Sequence, residues 1–241
     1  MIPLRDENPT ELTPYLTFLL LVANVATWIL VQGAGRPEAV IGSIGYFGVF
    51  PCGITSRCPP MGLGPEAVFT GMFMHGDWGH LISNMLFLWV FGNNVEDSMG
   101  HFRFLVFYFT CGLAATAAHI MAMPDSAVPA VGASGAISGV MGAYILLYPK
   151  VRVLTWLPPF FLLSFRAYIL LGYWFLLQLS MGAFTLGPEA QQQGGVAVWA
   201  HIGGFVAGLV LIPLFRKPRL TWAKTHGVRL PADERRRLEW W

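Results

Sequence analysis

Four polar side chains in otherwise apolar stretches have the chemical types needed for nucleophilic catalysis. Ser134 lies in the run GASGA and His201 in the run AHIGG. A serine hydroxyl is a weak nucleophile until a base takes its proton, and a histidine can be that base near neutral pH. His80 and Asn84 are four residues apart, on one face of a helix. Together with the Ser134 backbone N–H, they are candidate donors for the oxyanion of acyl transfer.

Several of these residues also allow other interpretations. G-x-S-G is often only a packing motif in membrane helices, and here it is not the nucleophile elbow of soluble hydrolases, because no strand precedes it. His119 lies in another apolar stretch and is a rival base. His75, Asp77 and His80 could bind a metal, but no thiolate or glutamate joins them. Asp77 could instead complete a triad, although serine–base dyads exist.

The composition predicts that these residues belong to a membrane protein. The chain has 241 residues, of which 55% are hydrophobic and 12% charged, and its mean hydropathy is +0.55. A soluble domain of this size cannot cover so much apolar surface with so few charges, and the same numbers exclude intrinsic disorder. The net charge of +2 gives no support for nucleic-acid binding. We therefore predict an all-α polytopic membrane protein.

Six apolar segments are candidate membrane spans. Most have close to the ~20 residues that a helix needs to cross ~30 Å of hydrocarbon. The second is short, which indicates a helix that starts below the outer surface. The fifth is expected to be helical from Ser164. The six segments are residues 12–31, 80–95, 104–123, 131–148, 160–184 and 196–215.

The distribution of lysine and arginine predicts the orientation of these spans. With the N-terminus in the cytoplasm, all but two of the 15 basic residues lie on the inner side, and only Arg36 and Arg57 lie outside. Both termini are then cytoplasmic. Cys52 and Cys58 fall in an outer loop, where a disulfide and two free thiols are both possible. The predicted parts are a short cytoplasmic segment 1–11, a six-helix domain 12–215 with a long outer loop 32–79, and a basic cytoplasmic tail 216–241.

This topology brings the four candidate side chains to one depth. Spans two, four and six all enter from the outer face, and each candidate lies a few residues into its helix, roughly 5–10 Å below the outer rim. Small residues line spans four and six, including Gly204 and Gly208, and such residues let helices approach closely. If these two spans pair, Ser134 and His201 can meet at hydrogen-bond distance.

From about residue 12 to residue 215, the chain resembles the rhomboid family of intramembrane serine proteases. The resemblance is carried, in this order and spacing, by HGDWGHLISN, GNNVEDSMG, GASGA and AHIGGFVAG. It implies that Ser134 is the nucleophile and His201 the general base. It also implies that His80 and Asn84 support the oxyanion.

The resemblance bears on residues around this site as well. It implies that His75 holds the first loop, that Glu96 is a structural acid at the inner end of span two, and that His119 has no catalytic counterpart. The chain also departs from the family pattern. Residues 64–72 (GPEAVFTGM) lack a Trp-Arg pair found in many members, and Ser138 stands where some members place a tyrosine ring on the catalytic histidine.

The function implied is that of an intramembrane serine endopeptidase. A Ser134–His201 dyad would cleave transmembrane helices near the outer face through an acyl-enzyme. The expected partners are transmembrane substrates and the lipid bilayer, with no cofactor, metal or nucleic acid. The loop near Pro188 and the outer part of span five are candidate gates for lateral entry. The expected location is a bacterial inner membrane, with the site toward the extracytoplasmic side.

Two other classes of function remain as alternatives. A non-catalytic rhomboid-like protein could bind membrane helices for trafficking or degradation, but Ser134 and His201 are both intact. A channel or transporter needs polar residues along a path at mid-membrane. Apart from Gln178 and Asn24, the spans contain few polar residues at mid-membrane, and the cluster of candidate site residues lies near one face of the membrane only.

Overall fold

Helices form most of the chain in the computed structural model, which describes residues 1–185 and 197–240. The second predicted span is one helical rod, in which Trp78–Phe87 (α5) continues through a π-helical turn, Leu88–Gly92, into Asn93–Met99 (α6). The other helices are Tyr15–Leu30 (α1), Pro37–Phe47 (α2), Pro51–Ile54 (α3), Ala67–Thr70 (α4), His101–Ala122 (α7), Ser134–Leu147 (α8), Ala167–Phe184 (α9), Val198–Phe215 (α10), Pro218–Thr225 (α11) and Ala232–Trp240 (α12).

Three of the described helices are long and apolar enough to cross a membrane, namely α7, α9 and α10. The apolar helices α1 and α8 are shorter. α9 exposes a broad apolar surface, as expected of a helix that faces lipid. These features agree with a mostly helical membrane fold, while the number of spans and the orientation of the termini stay predictions.

A three-stranded antiparallel sheet departs from the all-α prediction, although the described chain is mostly helical, as predicted. Its strands, in spatial order, are Ile2–Asp6 (β1), Arg152–Leu157 (β2) and Phe161–Arg166 (β3). The fifth span, predicted over 160–184 and helical from Ser164, begins as a helix only at Ala167. A short apolar run shows the same pattern whether it forms a strand or a buried helix. The periodicity of the sequence therefore could not distinguish the two structures here.

Glycines hold α8 and α10 in backbone contact. A Cβ on Gly208 would lie 1.9 Å from the Gly139 carbonyl oxygen, and a Cβ on Gly204 would lie 2.0 Å from the Gly135 oxygen. No side chain fits at either position, because real Cβ contacts are much longer. α7 packs against the same pair, since a Cβ on Gly203 would meet its Ala118 methyl at 2.3 Å. The three helices therefore form the tightly packed centre of the fold.

Glu96 of α6 caps the start of α1. Its buried carboxylate accepts hydrogen bonds from the backbone N–H groups of Leu16 (3.0 Å) and Thr17 (2.8 Å), and from the Thr17 hydroxyl (2.7 Å). The residue before α1, Pro14, makes no side-chain cap. The first-turn amides of a helix have no partner within the helix. Glu96 therefore satisfies them from a different helix.

Strand β1 and helix α11 meet at the end of the fold where Glu96 lies. Asp6 of β1 accepts hydrogen bonds from the Tyr144 hydroxyl (2.5 Å) and the Asn94 side-chain amide (2.8 Å). Lys224 of α11 donates to Asp97 at 2.6 Å, and both members of this ion pair are buried. Residues 1–11 and 216–240 are thus folded onto the helices by polar contacts.

Asp6 makes this junction sensitive to pH. Burial raises the pKa of the Asp6 carboxyl to about 6, so the folded protein binds this proton more tightly than the unfolded chain does. The Asp6 contribution to stability is therefore greatest in acid and falls as the pH rises from about 4 to about 6. We expect Asp6→Asn to raise the free energy of unfolding by about 1–2 kcal/mol near pH 7.5.

This gain should shrink toward pH 4, where the native carboxyl is already protonated. Denaturation in detergent at the two pH values measures the difference. Glu7→Gln, at the adjacent exposed position, is the matched control. An Asp6→Asn protein that is less stable than wild type near pH 7.5 would contradict the prediction.

The long loop predicted over residues 32–79 is tied together and to its neighbours at several points. Cys52 and Cys58 form a disulfide, which settles a pairing that the sequence left open. Arg57 forms an ion pair with Asp125 at 2.9 Å. The Gln32 side chain donates to the His75 carbonyl oxygen at 2.8 Å and accepts from the His75 backbone N–H at 2.9 Å. These contacts fix the position of the loop, although residues 64–72 lack the Trp-Arg pair described above.

Candidate active site

The backbone before α8 brings Ser134 to the start of its helix. Gly132 has φ +116°, which lies outside the conformations that other residues adopt readily, and its N–H donates to the Gly71 oxygen at 2.8 Å. A Cβ on Gly132 would lie 2.7 Å from His80 Nε2. Glycine is therefore needed for both conformation and space. Because Ser134 is the first residue of α8, its N–H needs no partner within the helix.

Ser134 and His201 are in direct contact. His201 Nε2 lies 2.8 Å from Ser134 Oγ, and the histidine side chain is buried at 9% exposure. On the other side of the ring, His201 Nδ1 lies 3.0 Å from Gln178 Oε1. The Trp174 ring lies beside the same imidazole, with 5.8 Å between ring centroids. The arrangement can pass a proton from the serine to the histidine.

Ser134 and His201 share one cavity with the two candidate oxyanion donors. The cavity has a volume of about 600 Å³ and is lined by Ser134, His201, His80 and Asn84. Its apolar lining includes Phe87, Ile137, Met141 and Trp174. A space of this size admits several residues of an extended peptide beside the serine.

Neighbouring groups favour His80 Nε2 as a hydrogen-bond donor. Asp77 accepts from the His80 backbone N–H at 2.8 Å and thereby caps α5. The Gly76 N–H approaches His80 Nδ1 at 3.4 Å, so Nδ1 acts as an acceptor and Nε2 carries the hydrogen. Asp77 has a helix-capping role here, and its described hydrogen bonds do not include His201.

Asn84 is the second donor available at the cavity. Its side chain is 6% exposed, and Nδ2 has no hydrogen-bond partner within residues 1–185 and 197–240. A buried amide hydrogen without a partner costs free energy unless something accepts from it. An oxygen of a bound substrate would be such an acceptor.

The other two histidines near the site have different surroundings. The His75 ring packs edge-on against the His80 ring, and burial lowers the pKa of His75 to about 4, so His75 is neutral at pH 7. His119 of α7 lines a smaller cavity on another side of Ser134. In the described part of the chain, the hydrogen bond of Ser134 Oγ runs to His201 and not to His119. No cluster of three His, Cys, Asp or Glu side chains in that part could hold a metal ion.

Gln178 and Trp174 were not predicted as site residues. Both belong to α9, one helical turn apart, and together they bracket His201. Ser138, at the position where some rhomboids have a tyrosine, instead donates to the Ser134 carbonyl oxygen at 2.6 Å. A glutamine inside an apolar span was the available signal, since such residues are usually functional. The candidate gate near Pro188 lies outside the described residues.

The family model and the known relatives that match this chain agree on one family. Residues 66–218, more than half of the chain, match the family model of the Rhomboid domain. Rhomboid-like protein 11, chloroplastic, of Arabidopsis thaliana is 30% identical over 158 residues, covering 61% of this chain and 51% of that protein. Rhomboid protein 1, mitochondrial, of Saccharomyces cerevisiae is 27% identical over 148 residues, covering 60% of this chain and 40% of that protein.

A bacterial relative is similar over a shorter stretch. Rhomboid protease GluP of Bacillus subtilis is 40% identical over 81 residues, covering 34% of this chain and 15% of that protein. The chain spans about half or less of the length of these relatives. Because the first two are named for organelles, the prediction of a bacterial inner membrane is not borne out.

Proposed function

Since the chain belongs to the rhomboid family of membrane proteins, we propose that it is a serine endopeptidase that cleaves transmembrane helices within the membrane. The observation that carries the proposal is the 2.8 Å contact between Ser134 Oγ and His201 Nε2 at the edge of the cavity. A serine is activated when a base lies at this distance. A protein that only binds helices has no need of this pair.

The reaction begins with attack of Ser134 Oγ on the carbonyl carbon of the scissile peptide bond. The hydroxyl proton passes to His201 Nε2 as the new C–O bond forms. Negative charge then develops on the carbonyl oxygen, within reach of donors from His80, Asn84 and the Ser134 backbone N–H. These groups stand at the cavity before substrate binds, so little rearrangement is needed.

Collapse of the tetrahedral intermediate breaks the C–N bond and leaves an acyl-enzyme. His201 returns its proton to the leaving amine nitrogen. A water molecule then attacks the ester with His201 again as base, which regenerates the serine and releases the acid. Because the peptide C=O of a continuous helix is bonded within the helix, the proposed substrates have a weak or unwound segment near the site. With the orientation predicted from the basic residues, the site faces the extracytoplasmic side.

The proposal is tested by reconstitution into lipid vesicles with a transmembrane substrate that contains a helix-destabilising segment. Wild type should cleave the substrate and react with a fluorophosphonate probe, whereas Ser134→Ala should do neither. Cleavage by Ser134→Ala at the wild-type rate would overturn the assignment. Stable capture of the substrate by wild type without cleavage or labelling would favour a helix-binding role instead.

Asn84 provides a separate prediction about the oxyanion. We expect Asn84→Ala to lower kcat by about 10²–10³, the usual effect of removing one such donor, while KM changes little. Single-turnover cleavage in vesicles measures this effect. The matched control is Asn24→Ala, which removes a buried asparagine from α1, whose amide donates to Leu20 within its own helix. Equal rates for the two variants would contradict a role of Asn84 in the reaction.

A further inference from the structure

A second polar contact reaches the histidine of the site from α9. Gln178 Oε1 lies 3.0 Å from His201 Nδ1, on the side of the ring opposite Ser134. The Gln178 side chain is 8% exposed, although it belongs to a helix whose outer surface is apolar. A buried glutamine in a membrane helix is costly unless its amide is bonded. The contact with His201 satisfies its oxygen.

The two hydrogen bonds of His201 determine each other. A neutral imidazole has one N–H donor and one acceptor nitrogen. When Gln178 presents its oxygen, Nδ1 must carry the hydrogen, and Nε2 then has a free lone pair for the serine proton. The reverse amide orientation would place the hydrogen on Nε2, where it would block proton transfer from Ser134. Only the observed orientation produces a general base.

We propose that Gln178 is a positioning residue that fixes the tautomer and orientation of His201 for proton transfer. This inference rests on the proposed protease function and deepens it. Trp174, one turn away on α9, lies beside the ring and limits its rotation. α9 thus supplies two contacts to His201, a polar one from Gln178 and an apolar one from Trp174, whereas Ser138 has no ring to stack on this histidine.

A neutral amide is suited to this position inside a membrane. The oxygen dipole of Gln178 stabilises the imidazolium that forms during catalysis, whereas a carboxylate at this depth would carry a large desolvation cost. The orienting function of the third residue of a serine triad can therefore be met without a buried charge.

Two substitutions with opposite electrostatic effects test the proposal. Gln178→Met keeps the length of the side chain but removes the acceptor, and should lower kcat by about 10–100-fold with KM nearly unchanged. The acid limb of its pH–rate profile should move to lower pH, because the imidazolium loses a stabilising partner. Gln178→Glu keeps an acceptor and should retain more activity than Gln178→Met. Its acid limb should move to higher pH.

The other titratable groups that influence His201 are His80 of α5 and His119 of α7, and every variant keeps them. Ser180→Ala, which alters an exposed polar residue of the same helix, is the control and should match wild type. ¹⁵N spectra of histidine-labelled protein, assigned with His201→Ala, should show the hydrogen of neutral His201 on Nδ1 in wild type. In Gln178→Met they should show a mixture of the Nδ1–H and Nε2–H tautomers. This second measurement does not depend on turnover.

The outcomes separate this inference from the proposed function. If wild type cleaves substrate through Ser134 but both Gln178 variants keep its kcat and pH profile, the positioning role is wrong. Acid limbs that move in the same direction in both variants would also overturn it, because a structural defect acts without regard to charge. If wild type itself does not cleave, the proposed function fails, and the ¹⁵N spectra alone decide whether Gln178 sets the tautomer.

Discussion

Alanine in place of Ser134 or His201 should lower kcat by about 10⁴–10⁶ in each case, and the double variant should be no slower than the slower single variant. The two residues act as one unit, since the serine needs the base in order to attack, and without the serine no acyl-enzyme forms for the base to hydrolyse. Substrate affinity should change little, because neither residue is needed to hold an uncleaved helix in a cavity of about 600 Å³.

Initial rates in vesicles and binding of a non-cleavable substrate helix measure the two effects separately. Cys111→Ala is a suitable control, since this buried thiol lies on α7 and is not bonded to either residue. If the losses in the single variants multiplied in the double variant, Ser134 and His201 would act independently, and the dyad would be wrong.

Gly208→Ala should also be severe, although Gly208 touches no substrate. The added methyl would lie 1.9 Å from the Gly139 oxygen, so α8 and α10 must move apart. Overpacking of this kind costs about 1–3 kcal/mol or more. A misplacement of about 1 Å between catalytic groups can cost ~10²-fold in rate. We therefore expect a lower Tm and a kcat reduced by about 10²-fold.

Gly172→Ala is the matched control, because a methyl on this glycine of α9 meets no atom within 4 Å. It should keep the wild-type rate and Tm. Thermal unfolding in detergent and cleavage in vesicles test both variants. Wild-type behaviour of Gly208→Ala would show that the backbones of α8 and α10 are not in the contact described above.

The contact of Ser134 with His201 follows a pattern that the sequence contains. Ser134 begins α8 and His201 lies a few positions into α10, two helices rich in glycine and alanine, and counting residues from the helix start sets their depth. Small residues at Gly204 and Gly208 indicate which helices approach closely. The rhomboid resemblance, now confirmed by the family match, rests on the same segments.

The contact of Gln178 with His201 could not be predicted in this way. The depth of Gln178 can be counted, but the rotation of α9 about its axis depends on packing between helices that are distant in sequence. The sheet was missed for a related reason. Residues 161–166 are apolar enough for a membrane helix, and only pairing with β2, which no local pattern specifies, makes them a strand.

The cap that Glu96 places on α1 has a consequence for how the chain assembles. Ribosomes make proteins from the N-terminus, so α1 exists before the residue that caps it. Until Glu96 arrives, the N–H groups of Leu16 and Thr17 must bond to water or to lipid headgroups. The first turn of α1 therefore reaches its native bonding only after α6 is synthesised, so an early helix of this fold is completed by a later part of the chain.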